Sequence, residues 1–185
     1  MESPKIGELP RHLSGRGRTI WVDLEAPTDE ETGVLGGIFG FHVLAVEDCI
    51  DDAFLPKRDD YDGYTYMIFH AADPSRTDRF ETEKVDVFAG PNFLVTHHEK
   101  EVKGISDTRG LVAKNPGSLL RSPDWLLHGI LNAVVDNYQP AVSGLEARIT
   151  RAESSVAAGE AADVGDVLVA RRELLWLERL ADLQH

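Results

Sequence analysis

The chain lacks almost everything that would tie it to an oxidising compartment, a membrane core or a nucleic acid. It has one cysteine, Cys49, in 185 residues, so no internal disulfide can form and a reducing compartment suits it. No apolar run approaches the roughly 18 residues that a spanning helix needs. Residues 1–17 are polar, with glycine, proline and arginine scattered where a signal peptide would carry an apolar block. Basic residues are outnumbered, 19 Lys and Arg against 32 Asp and Glu, for a net charge of −13. Such a surface repels phosphate backbones and anionic lipid and suits an encounter with cations. A Gly-rich phosphate loop, a nucleophile elbow and a His-Glu-x-x-His motif are all missing, so the expectation is a protein that is not an enzyme.

What is present is organised around residues 41–61, FHVLAVEDCIDDAFLPKRDDY. Val43, Leu44, Val46 and Ile50 fall at helical spacing and are expected to bury one face of a short helix. Glu47 then lies beside Val43 and Ile50, with Asp48 about a third of a turn further round, so the acid pair flanks the buried stripe. A carboxylate on that rim can face a partner molecule or a bound cation. It can equally be a solvated edge, or pair with Lys57 and Arg58 just beyond Pro56. Asp51 and Asp52 enlarge the cluster. A soluble metal-dependent hydrolase would need Asp48, Asp51 and a histidine brought together in one cleft.

Around this stretch, strands and helices interleave. Residues 18–24 alternate as a strand, and Thr28 with Glu31 has capping-box spacing for a helix that closes near Gly40. Residues 57–61 and 64–72 flank Asp62-Gly63, a two-residue hairpin signal; the second arm is apolar on both faces and reads as central. Residues 80–89 and 93–98 form another hairpin, and 102–114 a modest helix. Beyond Ser122-Pro123-Asp124, a helix start, apolar residues recur at Leu131, Val135, Tyr138, Val142, Leu145, Ile149, Ala152 and Val156, a heptad seam that continues in phase through Pro140. A polar break over 159–163 precedes a last helix. The fold class is therefore α/β (α+β): a mixed sheet sandwiched by helices, followed by long antiparallel helices. The expected divisions are a flexible tail over 1–17, the sandwich over 18–121 and a helical segment over 122–185.

Other chemistry-bearing residues read as structural. His97 and His98 are adjacent on a strand and point to opposite faces, so they cannot easily share one ion; one inward and one outward is the expectation. Cys49 has no histidine near it in sequence and reads as a buried structural thiol. His42, His70 and His128 are isolated and suit caps or core edges.

The series Gly40-Phe41-His42-x-Leu44-x-x-Glu47-Asp48, then Pro56-Lys57 and an aromatic-rich strand, then Val134-Val135-Asp136-x-Tyr138 resembles the CorA-type magnesium transporter family over nearly all of the chain beyond Arg18. The resemblance implies the cytoplasmic domain of a divalent-cation transporter or channel, with a helical segment leading into a stalk helix and membrane helices in a longer protein. It implies a homopentamer in which Mg²⁺ between subunits holds the ring closed. Asp48 inherits the regulatory cation site, Glu47 contributes nearby, and Asn132 stands where many relatives carry an acid, leaving an amide oxygen without charge. Mg²⁺ is the implied ion, with Co²⁺ or Zn²⁺ as alternatives in a transporter of the same superfamily.

Overall fold

The computed structural model describes residues 6–15, 17–51, 55–76, 78–158 and 164–183. Period-two alternation builds five strands, β1 (Ile20–Glu25), β2 (Lys57–Tyr61), β3 (Tyr64–Ala72), β4 (Thr82–Ala89) and β5 (Phe93–His98). They lie in the order β1-β5-β4-β3-β2, with β1 parallel to β5 and every other pairing antiparallel. Asp62-Gly63 makes the β2–β3 hairpin as predicted; Gly63 takes φ 85°, which a side chain would resist. β3 and β4 are internal strands, and helices cover both faces of the sheet.

The helices are α1 (Leu9–Leu13), α2 (Asp29–Thr32), α3 (Val34–Gly37), α4 (Val43–Ile50), α5 (Lys103–Lys114), α6 (Pro116–Leu119), α7 (Pro123–Ala157) and α8 (Val164–Leu183). On one face α3 and α4 set Val34, Leu35, Ala45 and Cys49 against Tyr66, Ile68, Phe88 and Val95. On the other, α5 and α7 set Ile105, Val112, Leu126, Ile130 and Val134 against Phe69, Val85, Val87 and Leu94. α8 returns antiparallel to α7: Ala141 shares a cluster with Leu180, and Arg148 meets Glu173 at 2.6 Å. Trp176 donates to Thr82 Oγ1 at 3.2 Å and Tyr138 to the His70 carbonyl at 2.8 Å, so both long helices are tied to the sheet.

Several elements differ from the sequence expectation, each for a packing reason. α4 is rotated: Ala45 and Cys49 are buried and Val46 partly so, while Val43, Leu44 and Ile50 are 61%, 55% and 59% exposed. Beneath it lie the rings of Tyr66 and Phe88, and only small residues one turn apart let the backbone approach so bulky a floor. On α7 the expected seam holds at Leu145, with Leu131 and Tyr138 packed at its edge, but elsewhere the buried line runs one residue earlier, through Ile130, Val134 and Ala141, with Val135 and Val156 exposed. A helix laid on a sheet follows its own 3.6-residue period rather than a coiled-coil 3.5. The helix runs on through Pro140.

The Thr28–Glu31 capping box forms, but its helix breaks at Gly33 into α2 and α3. Within residues 1–17, expected to be a loose tail, Leu9 is buried on α1 and Asn92 donates to the Leu13 carbonyl at 2.9 Å. Asp52 and the 159–163 break lie outside the described residues.

Candidate functional site

α4 starts where Gly40, at φ 68°, turns the chain and His42 Nδ1 accepts the Leu44 N–H at 3.2 Å. Glu47 is exposed on its outer face. Asp48, half-buried, meets Lys57 Nζ at 2.5 Å, and Lys57 also reaches Asp59 at 2.7 Å. Burial alone would lower the Lys57 pKa; its hydrogen bonds and charge contacts with Asp48 and Asp59 outweigh that and hold it above the ordinary lysine value. Arg58 turns to Asp60 instead, at 3.0 Å. In the single chain, then, Asp48 has the Lys57 partner that the sequence offered as one of its alternatives. Asn132 is exposed on α7, its amide 3.2 Å from His128 Nδ1, and α7 covers the opposite face of the sheet from α4. One chain therefore does not bring Asn132 together with Glu47 and Asp48.

Beneath α4 lies a buried polar cluster that sequence reasoning missed. Lys84 on β4 donates to the carbonyls of Asp48, Cys49 and Asp51 at 2.8, 2.9 and 2.7 Å, meeting acceptors that the end of a helix otherwise leaves open. Its ammonium stands 3.1 Å from Asp86 Oδ2, and Tyr66 donates to Asp86 Oδ1 at 2.7 Å. The Cys49 thiol faces Asp86 as well. Burial first, then the Asp86 charge, push both Cys49 and Tyr66 well above their ordinary pKa values, so both keep their protons. The visible signal was Lys84-x-Asp86 alternating with Val85 and Val87 on a strand that must be internal. In such a strand both charges have to be inside, and paired.

His97 and His98 do point to opposite faces, but both are buried because helices cover both faces. The expectation of one outward imidazole fails for that reason. His98 Nε2 lies 3.1 Å from Asp23 Oδ1 and its Nδ1 2.6 Å from the Lys100 carbonyl oxygen, so both ring nitrogens face acceptors. Burial by itself would lower its pKa, but these bonds and the charges of Asp23 and Glu25 raise it above the ordinary histidine value. Asp23 is further held by Thr96 Oγ1 at 2.6 Å and Arg109 Nη1 at 3.1 Å. Among the described residues, the groups of metal-type side chains that converge are Cys49-Asp86-His97 and Asp23-Glu25-His98. Neither includes the side chains of Asp48 or Asp51, the convergence a hydrolase of the expected kind would need.

The whole is a five-stranded mixed sheet between two helical layers, with an acid pair on a short outer helix and a long helical hairpin behind. Residues 16–184 match the family model described as CorA-like Mg²⁺ transporter protein, and the chain belongs to that family. It is 39% identical over 135 residues to YfjQ of Bacillus subtilis, named as a metal ion transporter, covering 73% of this chain and 41% of that one. It is 26% identical to the cobalt/magnesium transport protein CorA of Methanocaldococcus jannaschii, covering 85% of this chain and 50% of the relative. The chain thus spans half or less of the length of these relatives. Among solved structures, full-length CmaX aligns at a TM-score of 0.75 with 16% identity, over 92% of this chain and 53% of that one. The complete CorA transporter of M. jannaschii aligns at 0.69 with 23% identity, over 85% and 50%. At such identities the structural likeness speaks for the fold. No helix among the described residues is long and apolar enough to cross a membrane.

Proposed function

We propose that this chain is the cytoplasmic regulatory and assembly domain of a CorA-like divalent-cation transporter or channel, with Mg²⁺ as the sensed ion. The observation that carries the reading is the outer face of α4: Val43, Leu44 and Ile50 stand exposed around Glu47, and Asp48 sits at the edge. An apolar face joined to an acid pair is suited to meet another subunit, and the family resemblance implies a homopentamer assembled around bound cations. A hard cation takes oxygen donors and keeps several waters, so one or two carboxylates per subunit suffice. Acidic chains carrying −13 each repel one another, and a shared Mg²⁺ offsets that repulsion. To capture it, Asp48 exchanges Lys57 for the ion, while Asn132 offers a neutral oxygen on the far layer for a second, weaker contact. Loss of the ion loosens the ring, a population shift driven by differential binding.

Sedimentation with and without Mg²⁺, on this chain and on a longer protein carrying the membrane part, tests the reading. Mg²⁺ is expected to favour the assembled state, and Asp48→Ala to abolish its effect while leaving the melting cooperative. No Mg²⁺ effect in the longer protein, together with no effect of Asp48→Ala, sinks it. The family relatives named for cobalt and magnesium keep Co²⁺ as an alternative cargo, and the superfamily resemblance keeps Zn²⁺ as another. Uptake assays with each ion separate them.

A further inference from the structure

His97 carries an unusual burden: it is 3% exposed, and its Nδ1 has no hydrogen-bond partner. A buried ring nitrogen without a partner has given up its water and gained no bond in return. The ring faces Asp86, with Nδ1 3.6 Å from Asp86 Oδ2. The Cys49 sulfur, an Asp86 oxygen and a His97 nitrogen all lie within 4.8 Å of one another, and all three residues are buried. They come from α4, β4 and β5, so only the fold brings them together.

We propose that Cys49, Asp86 and His97 form a binding site for a borderline-soft divalent transition metal of the Zn²⁺ or Co²⁺ kind, distinct from any Mg²⁺ site on the outside of α4. The donor set decides the class: sulfur and imidazole nitrogen select such ions, whereas Mg²⁺ wants oxygens alone. Tetrahedral bonds of about 2.0–2.3 Å put neighbouring donors about 3.3–3.8 Å apart, so closing the cluster by about an ångström suffices. Three protein donors leave the fourth position of the tetrahedron to a water. Lys84 does not occupy the place. Its three protons are given to the Asp48, Cys49 and Asp51 carbonyls at the negative end of α4, and its ammonium is 3.1 Å from Asp86 Oδ2, so the ion would share Asp86 with it. Binding replaces the thiol proton, which leaves to solvent as the sulfur–metal bond forms; no electrons are exchanged. The bound ion would pin α4 to β4 and β5.

A single cysteine in the sequence makes the test direct. Chelator-treated protein is titrated with Co²⁺ under reducing, oxygen-free conditions, with long equilibration because the site is buried. A near-ultraviolet thiolate-to-cobalt charge-transfer band is expected, saturating at one ion per chain and absent in Cys49→Ser. His97→Gln is expected to weaken binding at least tenfold, and Zn²⁺ to displace Co²⁺ where excess Mg²⁺ does not. No band, a band that survives Cys49→Ser, or saturation at one ion per two chains overturns the proposal. Should Cys49→Ser fail to melt cooperatively, X-ray absorption of the cobalt-loaded wild-type chain decides: a sulfur scatterer at about 2.3 Å supports the site and an all-oxygen shell overturns it. An Asp48→Ala chain is expected to keep the band, which separates this site from the Mg²⁺ reading.

Discussion

Lys84 is the residue on which the inner face depends. It is buried with Asp86 and closes the end of α4 through three carbonyls. Lys84→Met keeps the volume but strands a carboxylate in the core, and breaking a buried pair in this way costs about 3–5 kcal/mol. Chemical denaturation is expected to show that loss, with Lys84→Met/Asp86→Leu recovering part of it. His98 gives a pH signature. Its folded pKa is raised above the unfolded value, so its contribution to stability is complete below about pH 6.5 and fades as pH rises through the folded pKa. Its imidazole resonances in NMR are expected to titrate above the ordinary histidine range, and Asp23→Asn to bring the midpoint down.

At the scale of elements, α5 meets α7 with no room to spare at Gly104. A Cβ placed on Gly104 would stand 2.8 Å from Val134 Cγ2 and 2.9 Å from the Val134 backbone nitrogen. A backbone cannot swing aside as a side chain can, so Gly104→Ala is expected to destabilise by about 1–3 kcal/mol, the cost of overpacking a filled core. A lowered midpoint at unchanged denaturant slope would check it. The same scale shows what the sequence could and could not say. Local patterns placed the β2–β3 hairpin, the Thr28 cap and the start of α7 at Ser122, because turn and cap chemistry is written in adjacent residues. They misplaced the buried side of α4, since the choice between Val43-Leu44-Ile50 and Ala45-Cys49 is made by the rings of Tyr66 and Phe88, more than a dozen positions downstream. The Glu47-Asp48 pair was legible as a motif, but the Cys49-Asp86-His97 cluster was not. Its members are scattered over three elements, and only strand order joins them.

For the whole molecule, the charge of −13 sets a background that every cation relieves in part. Screening depends on ionic strength, whereas bridging depends on the ion's identity. Thermal melts of the chain in Mg²⁺ and in Na⁺ at matched ionic strength are therefore expected to differ, with Mg²⁺ giving the larger gain and with that excess concentration-dependent if ions join chains. Equal gains would mean that screening alone is at work. α7, with its 35 residues, is about 50 Å long, and the sheet grips it from Leu126 through Tyr138 to Ala141, about half of that length. A rotation of about 5° at that grip sweeps the free end, about 24 Å beyond it, through roughly 2 Å. Ångström-scale adjustments among side chains at the sheet are thereby carried along the rod to its opposite end, where a shift of that size makes or breaks contacts.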